Sequence, residues 1–249
     1  MAAHAKAGGQ APDPQIAPAP EHHHRDVRGG AARAAVFGVS DGLVSNVGLI
    51  VGVAGADPGA GVVRLAGLAG LVAGAISMAA GEYNSMRVQT ELLERELELE
   101  RIELRRNPHV ETVELTQIYQ SRGMDPDRAR ELAIEMMRDP EVALETHARE
   151  ELGIDPDALG SPLGAAASSL VAFSAGAVAP LVPWFIGGGT AAVVSSLLVA
   201  VVAAMAVGIA IARFTGRPAS RAVGRQLLFT LVPAAVTYVI GSAIGVGVT

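Results

Sequence analysis

Five stretches of this chain are almost free of charge and are long enough to cross a lipid bilayer. Residues 34–55, 65–81, 163–186, 190–212 and 226–249 hold one charged side chain between them, Asp41. Inside a bilayer no water is available to backbone N–H and C=O groups, so a spanning segment must satisfy them internally. A helix does so within one segment, and twenty-two residues rise about 33 Å against a hydrocarbon core of about 30 Å. The second stretch is shorter, but nothing stops a helix at Glu82. Residues 83–106 continue without Pro or Gly, which predicts one long helix running out of the apolar layer. Half of the residues are hydrophobic, only 4% are aromatic, and 29 are Gly. A bias toward small residues suits closely packed membrane helices. The fold class expected is an all-α membrane protein with five transmembrane helices and a helical insert between the second and the third.

That insert, residues 87–160, carries nineteen of the twenty-five acidic residues and ten of the nineteen basic ones. Its punctuation is readable. Asn107-Pro108 breaks the long helix, because the residue before proline is driven out of the helical region. A second helix should run over residues 109–122 and close at Gly123. Asp125-Pro126 and Asp139-Pro140 each join an N-cap acceptor to a proline at the first helical position. They start a third helix reaching about Arg138 and a fourth ending near Gly153. Residues 1–28 are rich in Ala, Pro, Gly and His and read as a disordered tail. Its run of His22, His23 and His24 fits a solvated tail or weak metal collection. No apolar run follows Met1, so no cleavable signal peptide is expected. The domain plan is therefore the tail 1–28, transmembrane helices 1–2 in 29–86, the acidic unit in 87–160, and helices 3–5 in 161–249.

Arginine sets the orientation. Arg25, Arg28 and Arg33 precede the first span, and Arg213, Arg217, Arg221 and Arg225 precede the fifth. Both groups lie on the same side as the acidic insert, while the opposite loops carry Asp57 and Arg64. The positive-inside rule makes the N-terminus and the insert cytoplasmic and puts the C-terminus outside.

Three residues of the spans could carry chemistry. A carboxylate near mid-span costs about 2.5–3.5 kcal/mol on insertion scales, so Asp41 should face a partner or a water path. It sits in Ser40-Asp41-Gly42, with Asn46 just over one turn on. Its alternatives are a structural hydrogen bond or an ion or proton site. Met78 lies within the second span beside Ser77. Its thioether is a soft donor that suits late first-row metals better than Mg²⁺ or Ca²⁺, although a lone Met in such a helix also serves for packing. Glu82 stands where the second span meets the cytoplasm, as a way station or an interface charge.

In the insert, Glu100 and Glu103 share one helix face, as do Glu111 and Glu114 by the same i, i+3 spacing, and His147 and Glu151 by i, i+4. Two carboxylates held together can share one cation, and the cation relieves their repulsion. Oxygen donors with one imidazole fit Mn²⁺ or Fe²⁺. The same spacing also fits a solvated acidic face laced with Arg101 and Arg105. Other chemistry has no support. The chain has no Cys, hence no thiolate site and no disulfide. It has no phosphate loop, nucleophile elbow or HExxH pattern, so neither an enzyme nor a cofactor is expected. A net charge of −6 gives no reason for a nucleic-acid partner. The pairs Gly38/Gly42, Gly48/Gly52 and Gly70/Gly74 permit close helix contact, a weak signal in so Gly-rich a chain.

Taken together, Phe-Gly-Val-Ser-Asp-Gly-Leu-Val at 37–44, Ser-Met-Ala-Ala-Gly-Glu-Tyr at 77–83, the acidic insert and Glu-Glu-Leu-Gly at 150–153 resemble the vacuolar iron transporter family, in particular its bacterial members. The resemblance runs from about residue 22 to the end. It implies a homodimer with five membrane helices per subunit, and a cytoplasmic domain that collects Fe²⁺ or related ions for proton-coupled export. Asp41 and Met78 would then form the transmembrane ion site. Glu100, Glu103, Glu111, Glu114 and Glu151 would be the cytoplasmic ligands. Where some members have a Met pair in the last helix of the insert, this chain has His147 and Ala148, which leaves Mn²⁺ open beside Fe²⁺. A non-transporting metal sensor or store is the alternative. The Arg-rich composition and the lack of a plant-type targeting segment favour a bacterial plasma membrane over a vacuole.

Overall fold

The structure, a computed structural model, describes residues 30–156 and 160–246. The His22–His24 run and the whole of the 1–28 tail lie outside the described residues. Every regular element among the described residues is helical. Helix α1 covers Gly30–Gly55, α2 Ala60–Arg106, α3 Pro108–Ser121, α4 Pro126–Met136 and α5 Pro140–Glu150. Helix α6 covers Pro162–Val178 and runs through a 3₁₀ turn, Ala179–Leu181, into α7, Val182–Ile186. Helices α8 and α9 cover Gly189–Thr215 and Ala219–Val246.

Five of these units are long and apolar enough to cross a membrane, with windows of mean hydropathy between 1.7 and 2.6. Their outward faces carry unpaired apolar side chains such as Leu65, Val171, Leu198 and Val239, each more than 60% exposed. A soluble protein does not leave so much apolar surface to water, and the chain is a multi-pass membrane protein. Pro180 and Pro183 have no backbone N–H to give a helix, and the chain takes the 3₁₀ turn where they occur. One carbonyl there, that of Pro180, accepts a 2.7 Å hydrogen bond from the buried Ser196 hydroxyl. Helix α9 starts seven residues before the charge-free stretch, because Arg221 and Arg225 end an apolar run without ending a helix.

Helix α1 is the hub, packed against α2, α6, α8 and α9. Its approach to α6 is backbone to backbone. A Cβ added at Gly42 would lie 2.1 Å from the Phe173 carbonyl oxygen, and one at Gly176 2.2 Å from that of Val39. The same closeness recurs on α9, where a Cβ at Gly241 would lie 1.8 Å from the Gly52 carbonyl oxygen. Thr237 of α9 donates to the Gly48 carbonyl at 2.7 Å. Small residues thus hold α1 where no larger side chain would fit.

Helix α2 runs unbroken for 47 residues, from the apolar layer into the acidic segment. It leaves the layer beside a small apolar joint of Ala34, Met86 and Ala165. It ends at Asn107-Pro108 as expected, with the Asn107 N–H on the Glu103 carbonyl at 2.8 Å. Asp125 and Asp139 both cap as predicted: their carboxylates accept from the Asp127 and Glu141 amides at 3.1 and 2.8 Å. Helices α3 and α4 close on a core of Leu115, Tyr119, Ala129 and Ala133. Helix α5 lies against α2 and α3, turning its buried Ala143, His147 and Ala148 inward.

Candidate functional site

Three helices meet at one acidic cluster. Glu100 of α2, Glu111 of α3, His147 of α5 and Glu151 just past its end each offer one donor atom, all within 4.8 Å of one another. Glu100 and Glu111 are 3% and 6% exposed, and His147 is fully buried. Glu151 stands at the open edge. His147 Nδ1 is 3.2 Å from Glu100 Oε1, 3.3 Å from Glu151 Oε2 and 3.9 Å from Glu111 Oε2. Hydrogen-bond geometry is met toward Glu151 alone. Glu100 Oε1 and His147 Nε2 are buried without a hydrogen-bond partner among the described residues.

This is an expensive arrangement for a chain to keep. Buried carboxylates are stable only when paired, protonated or bound to a cation. Glu100 lies nineteen positions beyond Gly81, about 28 Å along the helix and clear of the apolar layer. Burial pushes its carboxyl up from 4.5 to about 7, and the neighbouring carboxylates of Glu151, Glu111, Glu103 and Glu114 push the same way. Burial also raises Glu111, against the opposing pull of His147. Three carboxylates and one imidazole form an oxygen-rich donor set with no sulfur, which suits Mn²⁺ or Fe²⁺. Of the six residues predicted for this unit, the structure brings four together. Glu103 and Glu114 are exposed and lie close enough to act on Glu100 through their charge.

The second site lies in the membrane layer. Asp41 and Met78, from different helices, line one cavity of about 270 Å³ together with Ser45, Asn46, Ser77 and Phe173. Glycines make the room. A Cβ at Gly74 would meet the Phe173 ring at 2.3 Å, and one at Gly70 the Leu49 side chain at 2.4 Å. Among the described residues the Asp41 carboxylate has no hydrogen-bond or ion-pair partner. Asp41 also borders a second cavity, on the side of Arg33, Ser40 and Gln226. Glu82 stands apart from the first cavity. It accepts a 3.3 Å contact from Arg33, which ties the start of α1 to α2. Phe173, which walls the cavity from α6, carries no polar signal in the sequence and escapes a motif-based reading.

The sequence matches the VIT family over residues 32–242. The chain belongs to that family. A vacuolar iron transporter of Acanthamoeba castellanii is 41% identical over 152 residues, which is 60% of this chain and 54% of that protein. Vacuolar iron transporter 1 of Oryza sativa subsp. japonica is 32% identical over 220 residues, covering 86% of this chain and 87% of the relative. The namesake from Eucalyptus grandis is 31% identical over 209 residues, with 83% and 84% covered. VIT proteins are transporters rather than enzymes. All residues of both sites in this VIT chain fall inside the matched span.

Proposed function

We propose that this VIT protein exports a divalent metal ion, Fe²⁺ or Mn²⁺, from the cytoplasm in exchange for protons. One observation carries the reading: Asp41 and Met78, a charged and a soft donor from two helices, converge on one cavity within the membrane layer. Residues 87–160 are the cytoplasmic collecting unit, with Glu100, Glu111, His147 and Glu151 as the ligands and Glu103 and Glu114 as flanking charges that draw cations in. Metal passes by Glu82 to Asp41 and Met78, and protonation of Asp41 from the far side displaces it. The names of the relatives support iron as cargo. The sulfur-free cluster around His147 keeps Mn²⁺ beside it.

The arginines before the first and fifth spans support a cytoplasmic N-terminus, and the Arg-rich composition favours a bacterial plasma membrane. A homodimer completes the reading. Helix α1 leaves Phe37 and Leu49 exposed at 59% and 38% on either side of Asp41, and a second copy of that face would shield the carboxylate from lipid. A sensor or store would use the acidic cluster equally well, but it has no use for Asp41 in a membrane cavity.

The test is metal uptake into proteoliposomes with an internal pH dye. Metal entry with proton exit, both stopped by Asp41→Ala while the acidic unit still binds metal, is the expected result. Normal transport by Asp41→Ala would sink the mechanism. Binding without transport by the wild type would leave a sensor or store.

A further inference from the structure

The cavity holding Asp41 and Met78 has one more polar wall. Asn46 is 2% exposed. Its Nδ2 donates to the Ala177 carbonyl of α6 at 2.6 Å. A carbonyl only accepts, so the amide atom facing Ala177 must be the nitrogen, and the oxygen must point the other way. That oxygen, Oδ1, is buried and has no hydrogen-bond partner among the described residues. A Cβ added at Gly70, another residue of the cavity lining, would lie 3.1 Å from it. The α6 backbone thus holds a bare amide oxygen toward the same space that Asp41 and Met78 line. An unmatched buried oxygen is costly in a membrane interior, and a cation in the cavity would satisfy it.

We propose that Asn46 Oδ1 is a third donor of the transmembrane site and sets its preference toward oxygen-seeking ions such as Mn²⁺ and Fe²⁺. The inference rests on the transport reading above. A Met donor alone biases a site toward soft ions, whereas carboxylate and amide oxygens favour Mn²⁺. The orientation of Asn46 is fixed before any ion arrives, so its oxygen needs no rearrangement to bind.

The test compares Mn²⁺ with the softer Cd²⁺ in proteoliposomes of the full chain. Asn46→Ala should lower kcat/KM for Mn²⁺ by about tenfold or more, the scale on which tuning groups act at metal sites, and leave Cd²⁺ within about twofold. A purely structural role would lower both ions alike. Parallel loss, or no loss, overturns the proposal. Should Asn46→Ala fail to insert, a chemical probe replaces it, because the chain has no cysteine of its own. Cd²⁺ should protect the thiol introduced by Asn46→Cys from a methanethiosulfonate reagent. Adding Asp41→Ala should raise the Cd²⁺ needed by about tenfold, as for two donors on one ion. Protection that ignores Asp41→Ala overturns the shared site. If the wild type moves no metal but this protection holds, the transport reading falls and the Asn46 site stands. If the wild type transports and the Mn²⁺/Cd²⁺ ratio ignores Asn46→Ala, the inference falls alone.

Discussion

His147 Nδ1 sits 3.2 Å from Glu100 Oε1, with the two side chains 0% and 3% exposed. A base and an acid shut away together, beside two more carboxylates, make a site whose charge is unbalanced until a cation enters. Glu100→Gln should therefore change two properties in opposite directions. Metal affinity should fall by about tenfold or more, since an inner donor is lost. The metal-free protein should melt at a higher temperature at pH 8, because a buried carboxylate among like charges is replaced by a neutral amide. Calorimetric titration and thermal unfolding check the pair. A variant that loses affinity and stability together would make Glu100 a structural anchor instead.

The pH dependence follows from the same carboxyl. Its value rises from 4.5 in the unfolded chain to about 7 in the folded one. Between those values the folded state keeps a proton that the unfolded state has released. Stability is then present below the lower value and is lost as pH rises through the higher one. The metal-free protein should soften between pH 5 and pH 7.5. Metal binding should strengthen over the same interval, by up to about tenfold per unit for one displaced proton. Melting curves with and without Mn²⁺ at pH 5, 6, 7 and 8 would show the two trends crossing. A flat metal-free profile would contradict the assignment.

Gly42→Ala should damage the fold. The added methyl would fall 2.1 Å from the Phe173 carbonyl oxygen, and backbone cannot swing aside as a flexible side chain can. Overpacking costs about 1–3 kcal/mol where some relaxation is possible, so at least that much is expected. Gly224→Ala, with nothing within 4 Å of the new methyl, should be neutral or slightly stabilising. Unfolding in detergent, followed by size-exclusion, would separate the two. Equal behaviour would mean that α1 and α6 are not held as closely as described.

Arg33 and Glu82 give a fourth comparison. Arg33 is 66% exposed, so their ion pair should add less than about 1 kcal/mol to stability. If Glu82 only tethers α1, Arg33→Gln and Glu82→Gln should slow transport equally. The way-station role expects Glu82→Gln to be clearly slower at low metal concentration, with Arg33→Gln near wild type.

Much of this architecture was legible because proline and aspartate act locally. Asn107-Pro108, Asp125-Pro126 and Asp139-Pro140 each set a helix boundary through the backbone of two or three residues, so no tertiary knowledge was needed. The charge-free stretches likewise announced five membrane helices. The acidic cluster shows where local reasoning stops. An i, i+3 spacing puts Glu100 beside Glu103 and Glu111 beside Glu114, but it does not say which member turns inward. That choice is made where α2, α3 and α5 converge, and there Glu100 and Glu111 are buried while Glu103 and Glu114 stay outside. The glycine pairs were ambiguous for a similar reason. In a chain with 29 glycines, only the partner helix reveals that Gly42 faces a carbonyl and Gly224 faces open space. Asn46 needed both, since its amide is oriented by Ala177, 131 positions away.

Helix α2 is one rod from the membrane cavity to the acidic cluster. Met78 and Glu100 are twenty-two positions apart on it, about 33 Å along its axis. No proline, glycine or loop interrupts the fifteen residues between Glu82 and Glu98. Pivoting such a rod by about 10° at Met78 would carry Glu100 sideways by roughly 6 Å, more than the width of its own ligand cluster. Occupancy at one end is thus geometrically costly to hide from the other: the two compartments of this protein share a lever arm.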